Sequence, residues 1–507
     1  MSFVYILCMA KKHTLSDEER EFSRLIHETV FSNPFGGEHQ ELVRQFSGVS
    51  GKRSSEDIMV RAFAMASERV DQLEAQGKAD LTLYHKKDGR LVQSLLLYEI
   101  YGRFIKDFDQ LIQKQTLSGD TPCPVPFAKD ALALLSRRGF AAMEALRFFA
   151  FFYQFRRAFY FIRESLSGQA PSTRELRCHL WNNIFTFAPR WYEDFLWNSM
   201  EDFSTLLLGE TGTGKGAAAA AIGRSGYIPF DEKKGCFVES FTRNFIDLNL
   251  SQFPETLIES ELFGHVKGAF TGAISDRQGA FARCTPHGAI LLDEIGDVST
   301  TVQVKLLQVL QERTFTPVGG SQKQRFRGRV IAATNKPIEE LRQKGAFRDD
   351  FFYRLCSDIV TVPPLRQRLH EDPQELEVLL EQVVKRILGE TSQGLVKTIG
   401  DILHRELGCD YPWPGNVREL EQAVRRILLT GRYLGETQSR AFDLRSRLHQ
   451  EIDFGSIDAQ GLIATYCALL YKRHGRYEEV ARRTRLDRRT VKKYILMIGE
   501  GLDEEEP

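Results

Sequence analysis

The sequence predicts a multidomain chain: an α-helical N-terminal domain, an α/β core of the parallel-sheet kind closed by a helical lid, and a small all-α module at the C-terminus. Three observations predict it. From about Leu15 to Trp197 apolar residues recur at the three-to-four spacing of helices with one buried face. After Asp202 short β-rich apolar runs end in glycine-rich turns and alternate with helical stretches, the order of a parallel sheet with crossover helices. From Gly461 onward short helical patterns carry a dense excess of Lys and Arg. The boundaries that follow are a mostly helical domain at 1–195, an α/β part at 196–365, a helical lid at 366–432, a linker at 433–457 and the basic module at 458–507.

In the N-terminal part, segments such as Leu95 to Ile112 and Ala128 to Phe152 have helical period. Ser32-Asn33-Pro34, Ser118-Gly119-Asp120 and the Gly168 to Ser172 stretch punctuate it. It holds no catalytic or cofactor motif. The aromatic run Phe148 to Ile162 is broken by Arg156 and Arg157, so it reads as a buried or partner-binding helix rather than a membrane span. In the α/β part the expected strands are Thr205 to Leu208, Phe245 to Leu248, Ala289 to Leu292 and Val330 to Ala333, followed by a helical stretch from Pro373 to Thr430 and a polar connector, Gly431 to Gly455.

A length of 507 residues exceeds what one hydrophobic core supports, and 42% hydrophobic with 27% charged residues is the composition of a globular protein. The formal net charge of zero is a sum that conceals local excess. Eight cysteines, Cys8, Cys123, Cys178, Cys236, Cys284, Cys356, Cys409 and Cys467, stand far apart with no CxxC pair, a pattern of reduced thiols rather than a disulfide framework or zinc site. No stretch reaches the roughly 18 apolar residues of a membrane span. The expectation is a soluble, cytoplasmic protein. Met1 to Met9 is apolar but lacks the basic start and cleavage site of a signal peptide, and one reading starts translation at Met9.

The chemistry-bearing motif is Gly209-Glu210-Thr211-Gly212-Thr213-Gly214-Lys215, which follows the apolar run Leu206-Leu207-Leu208 and opens an alanine-rich helix. This GxxxxGK loop turns backbone N–H groups toward phosphates, the helix N-terminus adds the positive end of its dipole, and Lys215 reaches the terminal phosphates. The hydroxyl residue that usually follows the lysine and meets Mg²⁺ is replaced by Gly216. About eighty residues on, the strand Ala289-Ile290-Leu291-Leu292 ends in Asp293-Glu294. Such a pair can put Asp293 on Mg²⁺ and let Glu294 orient or deprotonate the attacking water. Standing alone, it would equally be helix N-terminal chemistry.

Between these elements lies Gly268-Ala269-Phe270-Thr271-Gly272-Ala273, preceded by Glu259-Ser260-Glu261-Leu262-Phe263-Gly264-His265. The GAFTGA hexapeptide in that setting resembles the sigma-54-dependent enhancer-binding transcriptional activators of the AAA+ superfamily. The resemblance covers about Ser204 to Thr430. It implies an AAA+ P-loop core that hydrolyses ATP with Mg²⁺, a homo-oligomeric ring taken as a hexamer, and contact of Phe270 and Thr271 with sigma-54 RNA polymerase. It implies further that Thr334 and Asn335 monitor the γ-phosphate, that Asn249 restrains Glu294, and that Arg418, in Trp413-Pro414-Gly415-Asn416-Val417-Arg418, faces the nucleotide from the lid. Phe347-Arg348-Asp349-Asp350-Phe351-Phe352-Tyr353-Arg354 resembles the segment supplying arginine fingers, with Arg348 and Arg354 as candidates. The alternative for either is a surface salt bridge. The chain departs from the family at Gly216, neither acidic nor hydroxylic, which predicts slowed hydrolysis. Trp181 to Phe203 lacks the family's approach sequence, so no adenine pocket is assigned. The N-terminal half has no acidic cluster, phospho-acceptor aspartate and lysine of a receiver domain.

At the C-terminus, Gly461 to Arg473, Tyr477 to Thr484 and Arg488 to Met497 read as three helices, with Arg485-Leu486-Asp487 as a tight turn. Ala481 and Val491 suit a close helix crossing, and the segment resembles the Fis-type helix-turn-helix domain. Lys472, Arg473, Arg476, Arg482, Arg483, Arg485, Arg488, Arg489, Lys492 and Lys493 face only Glu478, Glu479 and Asp487 in number. Arg488, Arg489, Thr490 and Lys493 begin the recognition helix expected to meet double-stranded DNA; the alternative is a basic bundle with no DNA role. The acidic tail Asp503 to Glu506 is expected to be solvated. Taken together the motifs predict a DNA-bound, ATP-driven activator of sigma-54 RNA polymerase, against a rival in which nucleotide serves only assembly of a DNA-binding regulator.

Overall fold

The computed structural model describes residues 12–49, 54–408, 410–433, 435, 448, 452 and 457–498. The Met1 to Met9 start, Cys409, most of the Gly431 to Gly455 connector and the acidic tail lie outside the described residues. The chain forms two compact units, Met1–Ile402 with Asp410–Leu429, and Leu403–Cys409 with Thr430–Pro507.

The first unit opens with seven helices: α1 (Asp17–Val30), α2 (Gly37–Ser47), α3 (Ser55–Ala75), α4 (Lys86–Ser118), α5 (Ala128–Arg137), α6 (Ala142–Ser165) and α7 (Pro171–Phe185). Local chemistry sets their ends. Ser16 Oγ accepts the Glu19 N–H at 3.2 Å while the Glu19 carboxylate accepts the Ser16 N–H at 2.8 Å, a capping box that starts α1. The helical stretch expected from Ala128 to Phe152 is two helices. Gly139 turns the chain between them at φ 86°, a left-handed conformation, with its Cα against the Asp80 carboxylate.

A short helix α8 (Pro189–Trp191) and a π-turn, Tyr192–Leu196, lead into the sheet. Its elements run β1 (Thr205–Leu208), α9 (Lys215–Gly223), β2 (Phe230–Asp231), β3 (Cys236–Phe237), β4 (Phe245–Asn249), α10 (Glu255–Phe263), β5 (Gly264–His265), β6 (Arg277–Gln278), α11 (Ala280–Arg283), β7 (Ala289–Asp293), α12 (Thr300–Glu312), β8 (Thr314–Phe315), β9 (Gln324–Arg325), β10 (Arg329–Thr334), α13 (Ile338–Gln343), α14 (Asp349–Leu355) and β11 (Asp358–Thr361). The main sheet has order β11-β1-β10-β7-β4 with every neighbouring pair parallel. All four expected strands are in it; β11 is an addition. Helices α15 (Leu365–Glu371), α16 (Glu375–Leu388), α17 (Gln393–Leu407) and α18 (Asn416–Thr430) follow, so the stretch from Pro373 to Thr430 is three helices.

Alternation along the strands builds two cores. Leu206, Ile290, Leu292, Val330 and Ala332 point to one face, packed with Ile258, Leu262, Leu306 and Phe351. Leu207, Leu291, Ile331, Ala333 and Val360 point to the other, where they join the α9 residues Ala218, Ala219 and Ile222 and the aromatic side chains of the N-terminal helices. The N-terminal helices therefore share one core with the sheet. Phe149 lies 4.9 Å from Phe230, and Tyr153 stacks on Phe237 at 4.1 Å. The aromatic stretch of α6 is thus a buried helix, with α9 and the β2-β3 hairpin as its neighbours.

Polar groups fix this docking. Arg157, fully buried, donates to Arg224 O at 2.6 Å and Gly226 O at 2.7 Å just past the end of α9, where the helix carbonyls concentrate negative potential. Burial pulls its guanidinium pKa down to about 10. On the lid side, the fully buried Glu375 pairs with Arg368 at 2.6 Å and accepts the Gln169 and Ala170 N–H groups at the start of α7, at 2.5 and 3.1 Å. The Arg368 guanidinium also donates to Ser167 O at 2.5 Å.

The second unit contains three C-terminal helices, Ala459–His474, Tyr477–Thr484 and Arg488–Ile498. Cys467, Val480, Val491 and Ile495 form their core, with Ala481 and Leu486 packed against it. Arg485 makes the turn in the left-handed conformation at φ 57°, and Asp487 Oδ1 accepts the Arg489 N–H at 2.8 Å to start the last helix. Among the described residues no helix is long and apolar enough to cross a membrane.

Candidate functional site

The GxxxxGK segment forms a loop between β1 and α9, at the C-terminal edge of the parallel sheet where such folds place ligands. Gly212 and Gly214 hold φ of 79° and 108°, and above Gly214 and Gly216 a side chain would meet only open space. The loop is therefore a backbone cradle with free volume over it. Lys215 is buried and curls back, donating to Gly209 O at 2.8 Å and Glu210 O at 3.1 Å. Burial lowers its ammonium pKa, and the facing carboxylates Glu294 and Asp293 work against that shift. Thr213 Oγ1 closes the loop by donating to Glu210 O at 2.9 Å.

Asp293 ends β7, one strand from β10, and Glu294 follows it in the left-handed conformation at φ 56°. That conformation swings the Glu294 carboxylate away from the strand direction, where Oε2 accepts the Asn335 N–H at 3.4 Å. Asn335 in turn donates from Nδ2 to Thr211 Oγ1 of the phosphate loop at 2.8 Å. Thr334 is fully buried and its Oγ1 accepts the Lys336 N–H at 3.1 Å. The chain thus links phosphate loop, β10 end and Glu294 through one asparagine.

Asn249 is registered beside Asp293 across β4 and β7. Its Nδ2 lies 3.5 Å from Asp293 Oδ2, at the limit of a hydrogen bond, and its Oδ1 accepts the Ser251 N–H at 3.0 Å. The expected restraint of Glu294 by Asn249 is absent from these bonds: parallel register sets Asn249 against the aspartate, and the backbone of Asn335 takes the glutamate.

From the lid side, Val417 N–H donates to Gly212 O at 3.0 Å and Asn416 Nδ2 to Thr211 O at 3.0 Å. Arg418 lies beside Gly212, where a Cβ on the glycine would come within 3.0 Å of the Arg418 Cβ. Glu210 is held by Arg366 in a two-pronged pair at 2.5 and 2.7 Å, which keeps its carboxyl below the usual range, with Asn416 as a further partner at 3.1 Å. Sequence reasoning gave Arg366 no role of its own; the signal available was Pro363-Pro364, which stops β11's extension and starts the next helix one residue before Arg366.

The hexapeptide Gly268–Ala273 forms a tight loop above the two-stranded ribbon of β5 and β6. Gly268 N–H donates to Ala273 O at 2.8 Å and Ala273 N–H to Phe270 O at 3.0 Å. Phe270 packs edge-on against His265 at 5.0 Å, and Thr271 at the tip is exposed. A second loop, Pro317 to Gly320, supports it: Val266 N–H donates to Val318 O at 3.1 Å, Val318 N–H to Gly264 O at 2.8 Å, and Gly319 lies against Ala269.

Arg348 and Arg354 are not brought to the phosphate loop of their own chain. Both are exposed; Arg348 pairs with Asp350 at 2.7 Å and Arg354 donates to Leu310 O at 2.9 Å. In the C-terminal unit, Arg488, Arg489 and Lys493 are exposed along one short helix start, Thr490 is half-buried, and Arg488 pairs with Glu478 at 3.1 Å.

Residues 193–361 match the family model described as "Sigma-54 interaction domain". The chain is 43% identical over 230 residues to the Nif-specific regulatory protein of Azotobacter vinelandii, covering 45% of this chain and 40% of that one. It is 36% identical over 252 residues to the regulatory protein AtoC of Escherichia coli, covering 49% and 50%. With the transcriptional regulatory protein ZraR of Salmonella typhimurium it shares 34% identity over 335 residues, covering 64% and 66%. The chain spans about half the length of the curated relatives it matches first. The matched residues 193–361 hold the phosphate loop, Asp293-Glu294 and the GAFTGA loop, so the likeness to the sigma-54 interaction domain spans all three.

Proposed function

We propose that the chain is an ATP-hydrolysing regulator that remodels sigma-54 RNA polymerase from an upstream DNA site. One observation carries the reading: a single matched domain holds an intact GAFTGA loop with an exposed Thr271, on the β5-β6 ribbon, together with the phosphate loop and the Asp293-Glu294 pair of the main sheet. ATP is the substrate that the cradle of residues 209–216 suits, with Lys215 released from the loop carbonyls to the phosphates. Mg²⁺ fits the same place, because Asp293 offers a carboxylate at the strand end beside the cradle and phosphate oxygens and water complete such sites. When bound it would neutralise charge on the phosphates. Glu294 acts on the attacking water, Asn335 reports the occupied loop to Glu294, and Arg418 faces the phosphates from the lid.

Arg348 and Arg354, unused in their own chain, act on a neighbouring subunit's nucleotide in a ring, taken as a hexamer. The three C-terminal helices serve as a helix-turn-helix, with Arg488, Arg489, Thr490 and Lys493 toward double-stranded DNA. The setting is cytoplasmic, where the polymerase and DNA are. Thr271→Ala tests the reading: ATP turnover persists while activation at a sigma-54 promoter is lost, and retained activation refutes the contact.

A second reading has nucleotide used only for assembly. Gly216 favours it, since the loop offers no hydroxyl or carboxylate there. ATP turnover by the assembled chain that disappears in Glu294→Ala excludes it; an assembled ring without turnover establishes it.

A further inference from the structure

A cavity of 460 Å³ lies at the opposite end of the sheet from the phosphate loop, walled jointly by α6, the segment after the π-turn, the end of α9 and the strand leading into β10. Its volume is in the range of small-molecule sites, and it belongs to none of the machinery above.

Two features of its lining point to a ligand. Behind them Gln154, 1% exposed, ties the walls together: its Nε2 donates to Tyr192 Oη at 2.6 Å and Ser225 O at 2.9 Å. Trp197 and Tyr227 form an aromatic wall, their rings 4.8 Å apart at 66°. Arg325 and Arg327 also line the cavity, both exposed and neither within ion-pair distance of a carboxylate among the described residues. Glu201 on the same wall is half-exposed and near enough to attract both guanidinium groups, without an ion pair to either.

We propose that this cavity is an effector site for a small flat ring bearing an anionic group, the ring on Trp197 and Tyr227 and the anion on Arg325 and Arg327. Arg325 ends β9, whose partner β8 leads into the Pro317 to Gly320 loop that supports the GAFTGA segment. An anion drawing Arg325 and Arg327 together therefore acts on the hairpin that carries this loop. The other wall belongs to α6, so the site joins the N-terminal helices to the polymerase-facing surface.

The test is calorimetric titration of the full chain, without nucleotide, with 4-hydroxybenzoate, 4-hydroxybenzyl alcohol and acetate. Because nucleotide is absent, the result is independent of the ATPase reading. The expected result is saturable binding of 4-hydroxybenzoate alone, weakened roughly tenfold or more in the Arg325→Ala, Arg327→Ala double variant. Arg327→Gln alone serves if the double variant does not fold. No saturable binding by the folded chain, equal affinity for the neutral alcohol, or affinity unchanged in the arginine variants overturns the proposal. Hydrogen exchange of residues 314–325 slows with ligand; unchanged exchange overturns the coupling to the loop.

Discussion

Glu375→Ala removes the acceptor that ties the first lid helices to the start of α7. Glu375 is fully buried and receives Arg368 through Nε at 2.8 Å and Nη2 at 2.6 Å, together with the Gln169 and Ala170 N–H groups. Deleting it leaves a guanidinium, 8% exposed in its side chain, without its carboxylate, and two amides without acceptors. Breaking a buried pair from one side costs about 3–5 kcal/mol, which is roughly two to nearly four decades in an opening equilibrium. The assay is hydrogen exchange of the 166–173 segment in the native chain, where opening free energy is read locally. Glu375→Gln keeps an acceptor and loses the charge, so it falls between wild type and alanine. A change of less than about tenfold in Glu375→Ala would show that the latch does not hold this segment.

Other consequences follow from single positions. Gly212→Ala places a Cβ 2.2 Å from Gly415 O at φ 79°, so nucleotide affinity falls by roughly tenfold or more with the fold retained, measured by fluorescent-nucleotide titration; unchanged affinity contradicts the cradle. His27 and His39 both have pKa values lowered to about 4 from 6.5 by burial, with Arg190 and Arg90 adding to the shift at His27. The unfolded chain then binds more protons, so their contribution is full above about pH 6.5 and is lost as pH falls toward 4. Melting temperatures from pH 7 to 4.5 should fall less steeply in a His27→Gln, His39→Gln double variant; an equal slope contradicts the assignment. Val491→Asp puts an unpaired carboxylate into the core of the C-terminal helices, where Val491 is fully buried, and should abolish DNA binding by the full chain while ATP turnover remains.

The phosphate loop, the Asp293-Glu294 strand end, the GAFTGA loop and the three C-terminal helices were legible because each is a contiguous signal: a glycine spacing, an apolar run with its polar end, or a basic periodic stretch. What the sequence hid is non-local. β11 is four residues, Asp358-Ile359-Val360-Thr361, with polar ends, too short for periodicity and recognisable only once β1 offers an edge. The burial of α6 against α9 and the β2-β3 hairpin has no pattern of its own, since a helix aromatic all round announces burial without naming its neighbour. The same limit applies to Asn249: the strand end was legible, but the register that pairs it with Asp293 rather than Glu294 is a property of the folded sheet. Glu210 with Arg366, and Glu375 with Arg368 and α7, join residues brought together only by the lid.

On the proposed function, ATP hydrolysis by this chain opens promoters for sigma-54 RNA polymerase. Its most direct measurement is permanganate footprinting of a sigma-54 promoter with purified holoenzyme and the full chain, comparing ATP with a non-hydrolysable analogue and with Glu294→Ala. The expected result is an open complex with ATP and the wild-type chain alone. Opening with the analogue or with Glu294→Ala, or a wild-type chain that turns over ATP and leaves the promoter closed, contradicts it.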